Sequence, residues 1–441
     1  MRFRGLPFIL TLLLCISPAR ILTSGLAPAA MIFNVKKVKL RELYSLLIFL
    51  GISLLSLAFS NNPLLLNHII SILFLSPILL VAFFGKSIAS QINPSKLNKV
   101  ANLFFNLLLI NGAIGIVQYI IYQNDDAAIG FYGRSGLQNH GLAILYTFAA
   151  VFFYCQKRQT LNTLKILLAV ISFISCSYGV GMVSVIISAT VTLILISKSK
   201  AKSAAILSLL TLLLVGGLFV INKTAFMYNL NILTIFSDSI SSILSGTDTQ
   251  SGLIPRKLVA WLNYFRMISE NLHLLITGVG GGGFNSRASF MLNGDYSSVG
   301  FIPVSISQWH STYIMPLWSK EILSQAYQDG SMNQPFSNFL SILAEYGIIG
   351  FTVFIWSLMK IRKFLLSKIS RSSTRRLNAF NFVFIFMLAE GLLDNIFEYS
   401  EITFPFFILI CWISLSGMTT RATPSSQFDP LSKKAQIQPV Q

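Results

Sequence analysis

Arginines, a glycine cluster and acids set in apolar sequence are the parts of this chain able to handle an anionic substrate. Arg134, Arg256, Arg266 and Arg287 stand in polar stretches between apolar ones. The planar guanidinium binds a phosphate through two parallel hydrogen bonds, which suits it to that task better than lysine. The run Gly278-Val-Gly-Gly-Gly-Gly-Phe284 can bare backbone N–H groups to a lipid-linked pyrophosphate, with Gly280 and Gly283 as contact positions; the same run also reads as a tight turn. It resembles a dinucleotide loop, but the lack of βαβ surroundings and its place on the side away from the cytoplasm argue against that. Segment 253–271 reads as an amphipathic helix that places Arg256 beside Trp261 and Tyr264. A cation next to aromatic faces suits a phosphate with attached sugars. Arg266 and Arg287 read equally as contacts to lipid headgroups.

Two groups stand out for accepting a proton. Glu345 opens an apolar segment, where a carboxylate is costly and is by default functional or paired, here with one of the arginines. His310, in Gln308-Trp-His-Ser-Thr-Tyr313, has the side chain that titrates nearest neutrality, or is a structural loop histidine, as is His140. Glu390, Asp394 and Glu398 recur at helical spacing, with Glu401 close by. They read as partners of the arginines or as groups facing water. No spacing here dictates a metal site or a cofactor. His68 and His273 carry no functional reading.

The elements that must position these groups are membrane helices. Of 441 residues, 54% are hydrophobic and only 11% charged, and apolar runs of the length that crosses a hydrocarbon core recur from end to end. In lipid such runs must be helical. The fold class is therefore an all-α polytopic membrane protein of about twelve transmembrane helices with one large external, periplasmic loop. Spans are placed at 5–19, 22–34, 43–60, 63–85, 100–122, 140–155, 164–177, 181–197, 204–221, 337–359, 379–397 and 403–419. The short ones, including the pair around Ser177, tilt little or pair as helical hairpins. Arg2 and Arg4 before an apolar run imitate a signal peptide, but the cleavage site is poor, and a retained first helix is the reading.

The net charge of +18 does not mean nucleic acid. The positive residues fall in short clusters after alternate spans: Lys36 to Arg41, Lys86 to Lys99, Lys157 to Lys165, Lys198 to Lys202, and Lys360 to Arg376. The positive-inside rule puts that side, and both termini, in the cytoplasm. Domains follow as N-terminal helices 1–221, an external cap 222–336, C-terminal helices 337–419 and a disordered tail 420–441. Cys15, Cys155, Cys176 and Cys411 lie in or beside apolar segments and read as small core hydrophobes. No repeat of fixed period is present.

Four stretches, taken in order, resemble the O-antigen ligase and polymerase superfamily of bacterial membrane enzymes. Gly133-Arg-Ser-Gly-Leu-Gln-Asn139 looks like its outer Arg-x-x-Gly…Asn loop, and Ser175-Cys-Ser-Tyr-Gly179 like its hairpin. Arg256 to Phe284 is similar to its Arg…Trp…Gly-x-Gly-x-Phe block, and 339–350 to its Glu-x-Gly-Ile-Ile-Gly re-entry. Tyr178 stands where the hairpin commonly has Arg. Phe336-Ser337-Asn338 stands where ligases carry His, which makes Asn338 a candidate substrate contact and tilts the reading from ligase to polymerase.

The resemblance implies a metal-independent glycosyltransferase that joins undecaprenyl-diphosphate-linked oligosaccharide units on the outer face of the bacterial cytoplasmic membrane. A chain-length regulator and a flippase are its expected partners. The departing diphosphate needs cations: Arg256 first, then Arg134. Glu345 and then His310 are the candidates to activate the acceptor hydroxyl. The rivals are a ligase that moves finished glycan to lipid A core or protein, a flippase or permease, and a structural subunit of an assembly complex. The large external loop and the lack of duplicated halves weigh against transport.

Overall fold

A computed structural model describes residues 5–33, 37–60, 64–122, 128–132, 138–156, 159–196, 256–291, 306–318, 337–370 and 373–416, with four isolated positions between 208 and 216. The ninth sequence-predicted span, Arg134, the parts of the cap between those ranges and the tail lie outside the described residues. Within them the chain is all α. Eleven helices are apolar: α1 Gly5–Cys15, α2 Thr23–Phe33, α3 Leu40–Ala58, α4 Leu65–Gln91, α5 Pro94–Tyr122, α6 Gln138–Cys155, α7 Thr160–Ser175, α8 Gly179–Ile196, α13 Asn338–Leu366, α14 Thr374–Leu393 and α15 Ser400–Leu415. The cap contributes α9 Arg256–Glu270, α10 Leu274–Thr277, α11 Arg287–Met291 and α12 Gln308–Tyr313. Five helices, α3, α4, α5, α13 and α14, are long and apolar enough to cross a membrane.

Leucine and phenylalanine are spent on both faces of these helices, and the outward set needs a lipid solvent. On α3 only 17% of the apolar window is buried, with Leu47, Ile48, Leu54 and Leu55 facing out. The inward set forms one continuous core in which the short helix α15 is central. Its residues from Ser400 through Leu415 are all buried, against α1, α2, α4, α5, α6 and α14. The four cysteines are buried, unpaired thiols. The short helices α1 and α2 pack on each other, but the two around Ser177 do not behave as a hairpin pair. There α7 packs on α5 and α6, while α8 packs chiefly on α14. The backbone at Ser177 turns through a left-handed conformation, φ 52°, which splays the two helices apart.

The cap has a second, smaller core. In α9 the positions Ala260, Tyr264, Met267 and Ile268 are buried, the i, i+4, i+7, i+8 stripe of an amphipathic surface helix. They pack with Phe284, Phe290, Trp309, Tyr313 and Ile314, and against Leu340 and Ala344 of α13. The cap is thereby seated on the first turns of α13.

Candidate functional site

The helix α13 is broken at Gly347, whose φ of 67° and ψ of 178° are not helical. This conformation is open essentially to glycine alone. The break divides a short entry helix, ending at Tyr346, from a segment to Leu366 that is itself long enough to span a core of roughly 30 Å. It also frees carbonyls at the end of the entry helix, which need donors. The glycine run supplies them: the N–H of Val279 donates to the Ala344 carbonyl at 2.9 Å and that of Gly280 to the Glu345 carbonyl at 3.0 Å. Ser56 of α3 donates to the same Glu345 oxygen.

The rest of the run wraps the Glu345 side chain, which is fully buried. One carboxylate oxygen accepts the N–H of Gly282 at 2.7 Å and the Ser71 hydroxyl at 3.2 Å. The other accepts the N–H groups of Phe284 (3.1 Å), Asn285 (3.2 Å) and Ser286 (3.0 Å). The nest that the sequence offers to a pyrophosphate is thus occupied by the protein's own carboxylate. Gly280 donates to the Ser56 hydroxyl as well, at 2.9 Å, and the Gly283 N–H turns back to the Gly280 carbonyl at 3.0 Å. With five donors on its two oxygens, Glu345 orders the loop, and its lone pairs are committed.

His68 completes the network. Its Nδ1 accepts the Gly281 N–H at 2.9 Å, so the ring proton sits on Nε2 and faces the Ser53 hydroxyl at 2.8 Å. Sequence reasoning passed over this histidine. The signal available was Asn67, His68 and Ser71 on one side of an otherwise apolar span, where polar groups are expensive unless paired.

His310 is buried, and its Nδ1 donates to the Phe284 carbonyl at 2.6 Å, with the Phe290 ring edge-on at 4.9 Å. It ties α12 to the glycine loop. Asn338 is buried at the start of α13, where its side-chain oxygen accepts the Phe397 N–H at 2.6 Å and its own N–H donates to the Asp394 carbonyl at 3.2 Å. It fixes the turn between α14 and α15. Trp261 is half-buried, its ring 6.4 Å from that of Tyr264. Tyr264 lies in the cap core, where burial pushes its phenol up to about 12. Arg266 is on the opposite, exposed face of α9, with 72% of its side chain accessible, paired to Glu270 at 3.0 Å. The guanidinium of Arg287 lies between the rings of Phe74 (4.7 Å) and Tyr399 (4.6 Å), and its backbone N–H donates to Glu398 at 2.5 Å. Arg256 is the first residue of α9; its side chain lies outside the described residues.

The neighbour of Arg256 is placed in full. Lys257 donates to the Leu393 carbonyl at 2.8 Å and stands 3.7 Å from Asp394, at the end of α14. A cation satisfying a helix's last carbonyls is favourable there. Asp394 and Glu390, one turn apart, both receive the Tyr178 hydroxyl, at 2.9 and 2.8 Å. A phenol has one hydrogen, so the bond is three-centred. His140 stacks on the Tyr178 ring at 4.4 Å, and the neighbouring Asn139 donates to the Cys176 carbonyl at 3.0 Å. Arg20, between α1 and α2, pairs with Glu401 at 3.7 Å and donates to the Tyr132 carbonyl at 2.6 Å. That anchors the chain two residues before Arg134. Among the described residues no three His, Cys, Asp or Glu side chains are grouped to hold a metal ion.

No protein-family model and no curated protein matches this chain.

Proposed function

We propose that this protein is a glycosyltransferase of the bacterial cytoplasmic membrane that polymerises undecaprenyl-diphosphate-linked oligosaccharide units into a surface polysaccharide. The observation that supports this reading is a convergence. Stretches far apart in the chain meet at one end of the apolar helices: Asn139 with Cys176, Tyr178 with Asp394, Lys257 with Asp394, and Gly282 with Glu345. Asn139, Cys176, Tyr178, Lys257, Gly282 and Glu345 belong to the stretches whose order resembles the polysaccharide polymerases, Asp394 joins two of those stretches, and the cap helix that begins with Arg256 sits over them.

In this reading an acceptor sugar hydroxyl attacks the anomeric carbon of the growing chain. The new C–O bond forms as the bond to the diphosphate breaks, and the lipid diphosphate leaves with the electron pair. Arg256, Lys257 and Arg134 neutralise the charge that develops on it. The hydroxyl proton goes to a carboxylate. Asp394 is assigned that part, because 14% of its side chain is accessible, whereas Glu345 is enclosed. Glu345 and His310 become positioning residues that hold the glycine loop under the cap. The glycan lies beneath the cap, and the lipid tail runs between helices.

The test is the glycan profile of a deletion strain complemented with wild type, Arg256→Ala or Asp394→Asn. Loss of long chains, with single units still on their carrier, supports a polymerase. Full-length polymer held on undecaprenyl diphosphate and never passed to its acceptor means a ligase. Units trapped on the cytoplasmic face mean a flippase and overturn the reading.

A further inference from the structure

A second polar site lies at the far end of the helices that carry the glycine network. Along α3 the chain runs from Arg41 to Ser56, along α4 from His68 to Lys86, and along α13 from Glu345 to Lys363. Each helix therefore joins the network at one end to basic residues at the other. Between the basic ends is a cavity of about 530 Å³, lined by Lys39, Arg41, Lys86, Lys360 and Lys363. Among the described residues one carboxylate, Glu42, faces this group of five cations, and both its oxygens are buried without a hydrogen-bond partner there.

The large positive excess is costly while the cavity holds only protein and solvent, since like charges confined around one space repel. An anion of two or more oxygens relieves it, and the spread of cations around the cavity suits a phosphate reached from several sides. Three serines, Ser45, Ser357 and Ser367, and an apolar group, Phe83, Ile361 and Phe364, share the remaining wall, with the Lys86 ammonium 5.3 Å above the Phe364 ring. Cations together with hydrocarbon describe a pocket for an amphiphile, and basic pockets between membrane helices accommodate lipid headgroups.

We propose that this cavity binds the phosphate headgroup of an acidic phospholipid in the leaflet at the basic end of the helices. By the charge pattern of the sequence that leaflet is the cytoplasmic one, so the site is separate from the capped end and independent of the function proposed there. The lipid would tie the ends of α3, α4 and α13 together, the three helices whose other ends hold the Glu345 network.

Titration of the detergent-purified full chain with dioctanoyl phosphatidylglycerol tests this, with dioctanoyl phosphatidylcholine and inorganic phosphate as comparators and the unfolding temperature as readout. A saturable rise with the glycerol lipid alone is expected. The triple variant Arg41→Gln, Lys86→Gln, Lys363→Gln lowers the apparent affinity on the order of 100-fold. Glu42→Gln removes the opposing carboxylate and tightens binding. If inorganic phosphate stabilises as well as the lipid does, the site belongs to a soluble anion and the lipid assignment fails. Equal binding of the choline lipid, or unchanged affinity in the triple variant, overturns the site. Should the triple variant not fold, an unchanged affinity in Glu42→Gln overturns it as well.

Discussion

The carboxylate of Glu345 accepts the backbone N–H of Gly282 at 2.7 Å, across 63 residues of chain. Three more N–H groups of the same loop and the Ser71 hydroxyl complete its shell. A buried charge of this kind is tolerable only because every lone pair is met. The pair links the cap to the entry helix of α13.

Replacing Glu345 with Ala leaves those donors buried without an acceptor. Each buried donor left unsatisfied costs about 1–3 kcal/mol, and several are orphaned together, enough to unseat the cap. Glu345→Gln retains the shape but presents one oxygen in place of two, and falls between Ala and wild type. Thermal unfolding of the purified variants, with limited proteolysis of the cap as a second readout, checks the order wild type, Gln, Ala.

Gly347→Ala is expected to lower stability by about 1–3 kcal/mol, because its φ and ψ lie in a region that a side chain disfavours. An added Cβ would also overlap the Ile276 carbonyl. Gly51→Ala, in the middle of α3 with no atom of the described residues within 4 Å of an added Cβ, should be neutral or slightly stabilising. Equal unfolding temperatures for the two variants would contradict the break as described.

Tyr178→Phe removes the one donor shared by Glu390 and Asp394. The two acids then crowd together without it, at a cost of about 1–3 kcal/mol. Because Asp394 is assigned to proton acceptance, polymer yield should fall more than protein level does. A loss of polymer that only tracks protein level would confine Tyr178 to a structural part.

Arg266 and Arg256 share a helix but should differ in effect. Arg266 is paired with Glu270 on the exposed face, and exposed pairs contribute about 0–1 kcal/mol. Arg266→Ala should leave long-chain polymer intact, and Arg256→Ala should abolish it. The glycan ladder of each complemented strain decides; loss of polymer in both would assign α9 a general structural role.

The cap also carries a pH-dependent tie. The Tyr313 hydroxyl, then Arg266, hold the Glu270 carboxyl below its ordinary value of 4.5. Burial, then the contact with Glu270, raises the Tyr313 phenol above 10. A lowered acid stabilises above its unfolded value and loses this as pH falls through the folded one; a raised phenol stabilises below its unfolded value and loses this as pH rises. The tie is therefore strongest between about pH 4.5 and 10. Its effect is small because Glu270 faces solvent. Tyr313→Phe should lower the unfolding temperature slightly at pH 7 and converge with wild type as acid protonates Glu270. A difference that persists unchanged at pH 3 would rule the tie out.

Much of the architecture is legible in the sequence, because lipid allows a chain few options. An apolar run in a bilayer must satisfy its own backbone and becomes a helix, and the helices from α1 to α8 and from α13 to α15 fall where those runs are. Segment 253–271 likewise reads as an amphipathic helix from its sequence, and α9 forms there with Ala260, Tyr264, Met267 and Ile268 as its buried stripe. The splaying of α7 and α8 is not legible, since it rests on how α8 finds α14 and on one left-handed residue, Ser177.

By itself the sequence offered Gly278 to Phe284 as a run able to bare its N–H groups or to form a tight turn, and Glu345 as a carboxylate at membrane depth that is functional or paired, with an arginine as the expected partner. Both follow from local chemistry: glycines have no side chain to shield the backbone, and a carboxylate in an apolar segment cannot stay unpaired. Only the tertiary structure decided that each is the other's partner. The run and the acid are brought together by the break at Gly347 and by the packing of α3 and α4 behind it, where Ser56, His68 and Ser71 close the network. A bared N–H records that an acceptor is required, but not which one, because donors and acceptors far apart in the chain find each other only through the fold.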